Sequence, residues 1–256
     1  MADFEDVDFT TCPEYTRGDI TPPSATFAGA DYGDVTPSID ESEWPALIEK
    51  ADADGGGLER LIVSIFNQGN EGSCVANACA QAMQIVHARM FGKDAVVPLS
   101  AMSLYKRIGS GPNSGAMVSD GLDELTKRGI LPLDTPTNRT KFAHVHPATG
   151  WSNKLPPGWE ETAKLFRATE FFVIRNTGQL MTALFHAHPV VVGRSGHSIC
   201  YCRPMVRNGK QGVAYVNSWG KWGFGAGDFD SGFGFDSMSM VRSSAQWAFC
   251  VRSLVA

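Results

Sequence analysis

The stretch Asn67-Gln68-Gly69-Asn70-Glu71-Gly72-Ser73-Cys74-Val75-Ala76 decides how the rest of this chain is interpreted. It places Cys74 at the start of a run of apolar and small residues whose helical spacing continues to Met90 and ends at Gly92. Ser73 is the predicted N-cap of that helix. Unpaired N–H groups and the helix dipole favour negative charge at a helix N-terminus, so a thiolate is stabilised there. Cys74 is therefore a candidate nucleophile, the alternative being an ordinary buried thiol.

A candidate base and a second motif lie far downstream. His197 precedes a strand-like apolar run, and the block Asn217-Ser218-Trp219-Gly220-Lys221-Trp222-Gly223 follows it. His87 lies on the nucleophile's own helix, more than three turns beyond the cysteine, and cannot fold back to it. His186 and His188 are less well placed. His197 is the histidine that these positions favour.

The order of these residues resembles that of the papain-like cysteine proteases, the cathepsin superfamily. The family motif Gln-Gly-x-Cys-Gly-Ser-Cys-Trp-Ala is matched by residues 68–76, except that Glu71 replaces a disulfide cysteine and Val75 replaces the tryptophan. The family's Asn-Ser-Trp-Gly motif and the Trp-Gly pair that follows it are both matched within residues 217–223. The resemblance covers roughly residues 37–256 and is strong in these two blocks.

The resemblance implies both a fold and a mechanism. It implies an α+β fold in which a helical N-terminal lobe and a β-sheet C-terminal lobe enclose a groove. Cys74 would attack a peptide carbonyl, with His197 as its thiolate–imidazolium partner. Asn217 would orient the imidazole, and Trp219 would shield their hydrogen bond from water. Gln68 would share the oxyanion hole with the backbone N–H of Cys74. The chain is thus expected to be a cysteine peptidase, or an isopeptidase-type amide hydrolase using the same residues.

Composition limits the other possibilities. The chain has 256 residues, 43% hydrophobic residues and a net charge of −5, as in an ordinary globular protein without the basic surface that nucleic acids require. No apolar run approaches the length of a membrane span. The acidic N-terminus is not a secretory signal. We therefore expect a cytoplasmic protein, or one within a particle, with no nucleic-acid or membrane partner and with six reduced cysteines.

No metal or cofactor is expected. Four features prompt the question: Cys200-x-Cys202, the pairs His144/His146 and His186/His188, and the glycine-rich acidic tail 223–232. Buried cysteines usually only pack, and the histidine pairs lack thiolate or carboxylate neighbours at ligand spacing, which favours surface or capping roles. A calcium loop in the tail is the weaker alternative to glycine-rich turns.

The chain divides into an arm and a domain. Residues 1–45, rich in Pro, Gly, Thr and Asp, are predicted to form an extended N-terminal arm or linker, which could dock on a protein partner. Residues 46–256 form the predicted peptidase domain, with the helical lobe at about 68–135 and the β lobe at about 165–256. Predicted helices cover 46–51, 74–90, 101–108, 120–128 and 177–186, residues 132–160 are mostly loop, and predicted strands cover 171–174, 190–192, 198–202, 213–216 and 247–251.

A different class of function stays open. The polar arm, without the long helical pattern of cathepsin propeptides, also fits a structural or binding component of a larger assembly, for example a virion, that retains the papain-like fold. The stretch Pro189 to His197 is shorter than in cathepsins, so the substrate preference does not follow from the resemblance. The expected partner is a peptide or protein substrate.

Overall fold

A computed structural model describes residues 4–12, 17–20, 29–194, 196–245 and 248–254. Helices dominate the first part of the chain and strands the second. Within the described residues the helices are α1 (Tyr32–Val35), α2 (Trp44–Ala53), α3 (Cys74–Phe91), α4 (Ala101–Ile108), α5 (Val118–Lys127), α6 (Pro136–Lys141), α7 (Glu160–Ala163), α8 (Thr177–Phe185) and α9 (Met238–Ser244). Short 3₁₀ turns cover Phe9–Thr11, Glu41–Glu43, Leu58–Leu61, Lys93–Ala95 and Lys164–Phe166. None of the helices in these ranges combines the length and the apolar composition needed to cross a membrane.

The strands form one antiparallel sheet. They are β1 (Ala168–Ile174), β2 (Val190–Arg194), β3 (His197–Arg207), β4 (Lys210–Val216), β5 (Phe224–Ala226), β6 (Phe229–Ser237) and β7 (Ala248–Leu254). Their order in the sheet is β1-β7-β2-β3-β4-β6-β5. Every residue of β2 is buried, which explains its uninterrupted valine run. The protein is thus an α+β protein with a helical lobe and a sheet lobe, as the sequence predicts.

Helix α3 lies between the two lobes. It packs against α4 and α5 on one side and against β2, β3 and β7 on the other. All residues from Cys74 to Val86 are buried, so this helix is apolar around most of its circumference. Four alanines in its first three turns favour helix formation and let neighbouring elements approach closely. Its position brings its N-terminus, with Cys74, to the junction of the lobes.

Most predicted elements are present, with shifted bounds. Helix α3 ends at Phe91, directly before the predicted stop Gly92. The Ser73 side chain makes no capping hydrogen bond and instead accepts one from the Asn77 amide at 3.0 Å. Helix α2 begins at Trp44 rather than Ala46. The tail predicted as glycine-rich turns forms the hairpin of β5 and β6, whose glycines hide the alternation of a strand. Helices α1, α6, α7 and α9 were not predicted, and α1 lies within residues 1–45, which were predicted to be extended. Residue 247 of the last predicted strand lies outside the described residues.

The described part of the arm packs on its own chain. Glu5 forms a parallel bridge with Phe235 of β6, and the Asp6 carboxylate accepts hydrogen bonds from the backbone and hydroxyl of Ser237, both at 2.7 Å. Further along, the backbone of Val173 in β1 donates to Ala30 at 2.9 Å. Residues 4–12 and 29–31 thus lie along the sheet lobe.

Candidate active site

The two downstream residues that the sequence singles out are brought together by neighbouring strands. His197 begins β3, and Asn217 follows the last residue of β4, the strand beside it. The distance between His197 Nε2 and Asn217 Oδ1 is 2.7 Å. Both side chains are buried. The predicted pairing of His197 with Asn217 is therefore present.

This hydrogen bond fixes the tautomer of the imidazole. Asn217 Oδ1 also accepts the backbone N–H of Ser218 at 2.7 Å, so this atom is an acceptor and His197 Nε2 carries the proton. In neutral His197, Nδ1 then holds a lone pair, and it has no hydrogen-bond partner in the described structure. An unpartnered, buried imidazole nitrogen of this kind is the form that a general base requires.

Aromatic rings enclose the imidazole on two sides. The Trp219 ring lies 4.4 Å from the His197 ring between centroids. The Phe9 ring meets the imidazole edge-on at 4.6 Å. Phe9 was not predicted to take part, because nothing around residue 9 distinguishes it from the other aromatic residues of the arm.

Gln68 is tied to the Asn217 block. Its backbone N–H donates to the Ser218 carbonyl at 2.9 Å, and the Ser218 hydroxyl donates to Gln68 Oε1 at 2.7 Å. One side-chain N–H of Gln68 donates to the Glu71 carbonyl at 2.8 Å. The two bonds with Ser218 orient the side-chain amide of Gln68 so that its NH₂ group points toward the loop that carries Cys74.

Glu71 stabilises the loop before Cys74. Its carboxylate accepts hydrogen bonds from the backbone N–H groups of Gly150, at 3.1 and 3.0 Å, and of Trp151, at 2.5 Å. The carboxylate thus joins two distant loops at the position where the family has a disulfide cysteine. The sequence shows the replacement but not its partner, since backbone N–H groups leave no mark in a sequence.

A short segment of the arm crosses the junction of the lobes. Ala116 donates its N–H to the Gly18 carbonyl at 2.7 Å and accepts the Ile20 N–H at 3.1 Å, as a parallel bridge. On the opposite side, the Asp19 N–H donates to the Gly196 carbonyl at 3.0 Å. Residues 17–20, called the cover below, are thus bound on one edge to the helical lobe and on the other to the sheet lobe.

The cover lies directly over the nucleophile. A Cβ atom on Gly18 would come within 1.9 Å of the Gly72 carbonyl oxygen, two residues before Cys74. The backbone N–H of Gly18 faces the Cys74 sulfur, together with those of Ser198 and Val75. Cys74 and His197 both have no exposed surface. The cover was not predicted, because a glycine in a polar arm does not indicate what it packs against.

Burial keeps both groups uncharged in this state. Burial raises the pKa of the Cys74 thiol to about 12, and the Asp19 carboxylate adds to this rise. Burial lowers the pKa of His197 to about 3, against the favourable hydrogen bond of Asn217. No hydrogen bond joins the Cys74 sulfur to the imidazole of His197, although both residues lie in the described structure. A thiolate–imidazolium pair therefore requires water to reach this site.

Arg194 holds the arm beside His197. Its guanidinium donates to the Val7 carbonyl at 2.7 Å and to Asp236 Oδ1 at 3.0 Å, and it lies 4.5 Å from the centroid of the Phe9 ring. The Tyr201 hydroxyl donates to the other oxygen of Asp236 at 2.6 Å. Because Arg194 and Asp236 are both buried, losing either would leave an uncompensated charge in the core.

The other histidines lie elsewhere. His87 is half-buried beside Phe91, 13 residues beyond Cys74 on α3, which is about 20 Å along a helix. His188 bonds the Tyr32 hydroxyl at 3.1 Å, and His144 bonds the Thr162 hydroxyl at 3.0 Å. His146 was predicted to have a surface or capping role. It is buried, so the surface alternative is wrong, and its Nδ1 lies 3.3 Å from the hydroxyl of Ser100, the residue that caps α4.

Four other cysteines pack in the core. Cys79, Cys200, Cys202 and Cys250 are buried, and burial raises the pKa of each thiol. In the part of the chain that is described, no three His, Cys, Asp or Glu side chains are placed to hold a metal ion.

Comparison with solved structures places this arrangement among known folds. Xylellain, a cysteine protease from Xylella fastidiosa, has a TM-score of 0.63 and 20% sequence identity over 93% of this chain and 96% of that one. The chain has the papain-like fold. Procathepsin L2 from the larval midgut of Tenebrio molitor has a TM-score of 0.64 and 17% identity, over 97% of this chain and 82% of that one. For the recombinant stem bromelain precursor the values are 0.54 and 16%, over 94% and 78%.

Sequence comparison gives no further match. No family model matches the chain, and no curated protein matches it. At these identities the solved structures establish the papain-like fold alone, so the chemistry must be argued from the residues of this chain.

The site predicts a pH dependence of stability. The pKa of His197 is about 3 in the folded protein, against about 6.5 in an unfolded chain, so acid favours unfolding between these values. The stability that neutral His197 contributes is complete above pH 6.5 and is lost as the pH falls toward 3. At pH 5 we expect a loss of about 2 kcal/mol relative to pH 7.

Urea unfolding of the wild-type protein and of His197→Gln measures this loss. The variant keeps a side-chain N–H donor for Asn217 but cannot titrate, so its free energy of unfolding should fall less between pH 7 and pH 5. Other groups, including Asp236, titrate in both proteins and cancel in the difference. Equal pH dependence in the two proteins would show that His197 is not held neutral.

Proposed function

We propose that this protein is a papain-like cysteine peptidase that hydrolyses peptide bonds through an acyl-enzyme on Cys74. The observation that carries the proposal is the hydrogen bond from His197 Nε2 to Asn217 Oδ1, which leaves Nδ1 as the base. Cys74 supplies a thiol at the N-terminus of the central helix. A histidine with a fixed tautomer and a cysteine at a helix N-terminus are the parts needed for thiol catalysis.

The proposed reaction has two halves. In acylation, His197 Nδ1 takes the proton of the Cys74 thiol, and the thiolate sulfur attacks the peptide carbonyl carbon. The resulting oxyanion accepts hydrogen bonds from the Gln68 side chain and the Cys74 backbone N–H. The C–N bond then breaks as His197 gives its proton to the leaving amine. In deacylation, His197 takes a proton from water, whose oxygen attacks the thioester, and the released sulfur regains the proton.

In the structure described here this site is latent. The cover occupies the junction of the lobes above Cys74, so a substrate carbonyl cannot reach the sulfur until residues 17–20 move. The proposal therefore includes an opening step, in which the backbone hydrogen bonds of the cover to Ala116 and Gly196 are exchanged for those of a substrate.

Peptide digestion tests the proposal. A full-length Gly18→Ala protein, whose cover is expected to be displaced by the clash with Gly72, is incubated with a mixture of synthetic peptides and the products are identified by mass spectrometry. We expect backbone cleavage that a thiol-directed epoxide abolishes. Hydrolysis of amide bonds that involve a side chain, without cleavage of the peptide backbone, would indicate an isopeptidase-type hydrolase. If neither product forms while the epoxide also fails to label Cys74, the chain is not a peptidase and a structural role in an assembly is favoured.

A further inference from the structure

The Asp19 side chain occupies a small polar seat beside Cys74. Its Oδ2 accepts a hydrogen bond from the Ser198 hydroxyl at 3.0 Å. A Cβ atom on Gly193 would come within 2.2 Å of the same Oδ2, so the carboxylate lies directly against the backbone of β2. Ser198 follows His197 in β3, and Gly193 pairs with Ser198 across the sheet. Gly193 and Ser198 are thus the two walls of the seat.

The backbone of Asp19 is held as an extended strand on both edges. Its neighbours Gly18 and Ile20 pair with Ala116, and its own N–H bonds Gly196. When an extended peptide is held this way, its main-chain hydrogen bonds give affinity, while the pocket beneath a side chain gives specificity. The seat lies beneath Asp19, the residue that bridges with Ala116 and donates its own N–H to Gly196.

We propose that the seat between Gly193 and Ser198 is a specificity subsite of this enzyme for a short side chain with an oxygen acceptor, aspartate or asparagine. The inference rests on the proposed function and names the substrates of that site. Ser198 is buried, so its hydroxyl needs an acceptor when a substrate excludes water from the seat. A leucine side chain has the same branching as aspartate but offers no oxygen, and would leave that hydroxyl unpaired.

The negative charge of aspartate distinguishes it from asparagine at this subsite. Burial is the main cause of the raised pKa of Cys74, and the Asp19 carboxylate beside the sulfur raises this pKa further. Aspartate in the cover therefore fills the seat and adds its negative charge to the effect of burial, which keeps the Cys74 thiol protonated. An asparagine from a substrate fills the seat through its carbonyl oxygen without this opposing charge. Asparagine substrates should therefore bind as well as aspartate substrates and react faster.

Inactivation by matched probes tests the subsite. Peptidyl vinyl sulfones carry Asn, Asp or Leu at the first, second or third residue from the reactive group, and alkylation of Cys74 is followed by mass spectrometry in the full-length Gly18→Ala protein. At one of these three positions, we expect the inhibition constants of the Asn and Asp probes to be about tenfold lower than that of the Leu probe, because their side chains accept a hydrogen bond from Ser198. The maximal inactivation rate should be higher for Asn than for Asp.

Two variants in the same background test the walls of the seat. Ser198→Ala should bring the Asn-to-Leu ratio of inhibition constants to about one, and Gly193→Ala should weaken Asn and Asp together, because its methyl group fills the place of the oxygen. Ser243→Ala, an equivalent change on the exposed face of α9, should keep the ratio. Far-ultraviolet circular dichroism shows whether each variant folds.

The outcomes separate the two proposals. If Cys74 reacts in a His197-dependent way but the Leu probe is as good as Asn and Asp in all three positions, the subsite is wrong and the peptidase function stands. If the Asn-to-Leu ratio of inhibition constants is unchanged in Ser198→Ala, the proposed subsite is also wrong. If no probe labels Cys74 in the folded protein, the subsite and the peptidase function are both wrong.

Discussion

Cys74→Ala is expected to lower kcat/KM for peptide cleavage by at least about 10⁴-fold, whereas Cys79→Ala should leave it within about twofold. Both thiols are fully buried in α3, and Cys79 lies five residues beyond Cys74. Their difference is position. Cys74 is the first residue of the helix, where backbone N–H groups of Ser198 and Val75 face its sulfur, while Cys79 packs inside the core. Of these two thiols, only Cys74 is therefore expected to form a thiolate once water reaches the site.

The measurement compares the two variants in the full-length Gly18→Ala protein, with a peptide that this protein cleaves. Each change removes one buried sulfur, so the two free energies of unfolding should fall by similar amounts, about 1 kcal/mol. Loss of cleavage in both variants, with both proteins folded, would point to a packing effect. Retained cleavage in Cys74→Ala would exclude this residue as the nucleophile.

Gly18→Ala is expected to raise the rate of Cys74 alkylation at pH 7 by at least about 100-fold. A methyl group at residue 18 would lie 1.9 Å from the carbonyl oxygen of Gly72, and a backbone oxygen before a buried helix cannot move aside at low cost. The cover must therefore leave its place. Water then reaches a thiol whose pKa burial had raised to about 12, and the thiolate fraction increases as that pKa falls toward its ordinary value.

The alkylation rate with iodoacetamide, measured by mass spectrometry of the Cys74 peptide, gives the result. Gly111→Ala is the matched control, because a Cβ atom there has no neighbour closer than 4.0 Å and no contact with the cover is lost. Equal rates in the wild-type protein, Gly18→Ala and Gly111→Ala would show that residues 17–20 do not protect the thiol. A rise in the Gly111→Ala protein as well would indicate general loosening instead of opening.

The fold and the pairing of His197 with Asn217 could be predicted because both depend on patterns within short stretches of sequence. The helix after Cys74 has periodic apolar spacing and a glycine stop, and β2 is a run of valines. His197 and Asn217 lie at the ends of neighbouring antiparallel strands, so predicting both strands suffices to bring them together. The hairpin of β5 and β6 was missed because glycine interrupts its pattern.

The covered state could not be predicted, because it depends on contacts between segments that are distant in the sequence. Gly18 meets the backbone of Gly72, and Asp19 meets Ser198 across 179 residues. The helix N-terminus marks Cys74 as the residue predicted to ionise. However, burial under the cover outweighs the favourable N–H groups and keeps the thiol protonated. The sequence pattern describes the potential of the site, and the packing of the arm determines its state.

The most direct test of the account is labelling of Cys74 by a peptidyl epoxide at neutral pH, in Gly18→Ala and in Gly18→Ala/His197→Ala. If His197 activates Cys74, the first protein is labelled stoichiometrically at Cys74, and the second at least about 100-fold more slowly. Labelling at the same rate in both proteins, or labelling of Cys12 in place of Cys74, would contradict the central claim that these two residues form a nucleophile and its base.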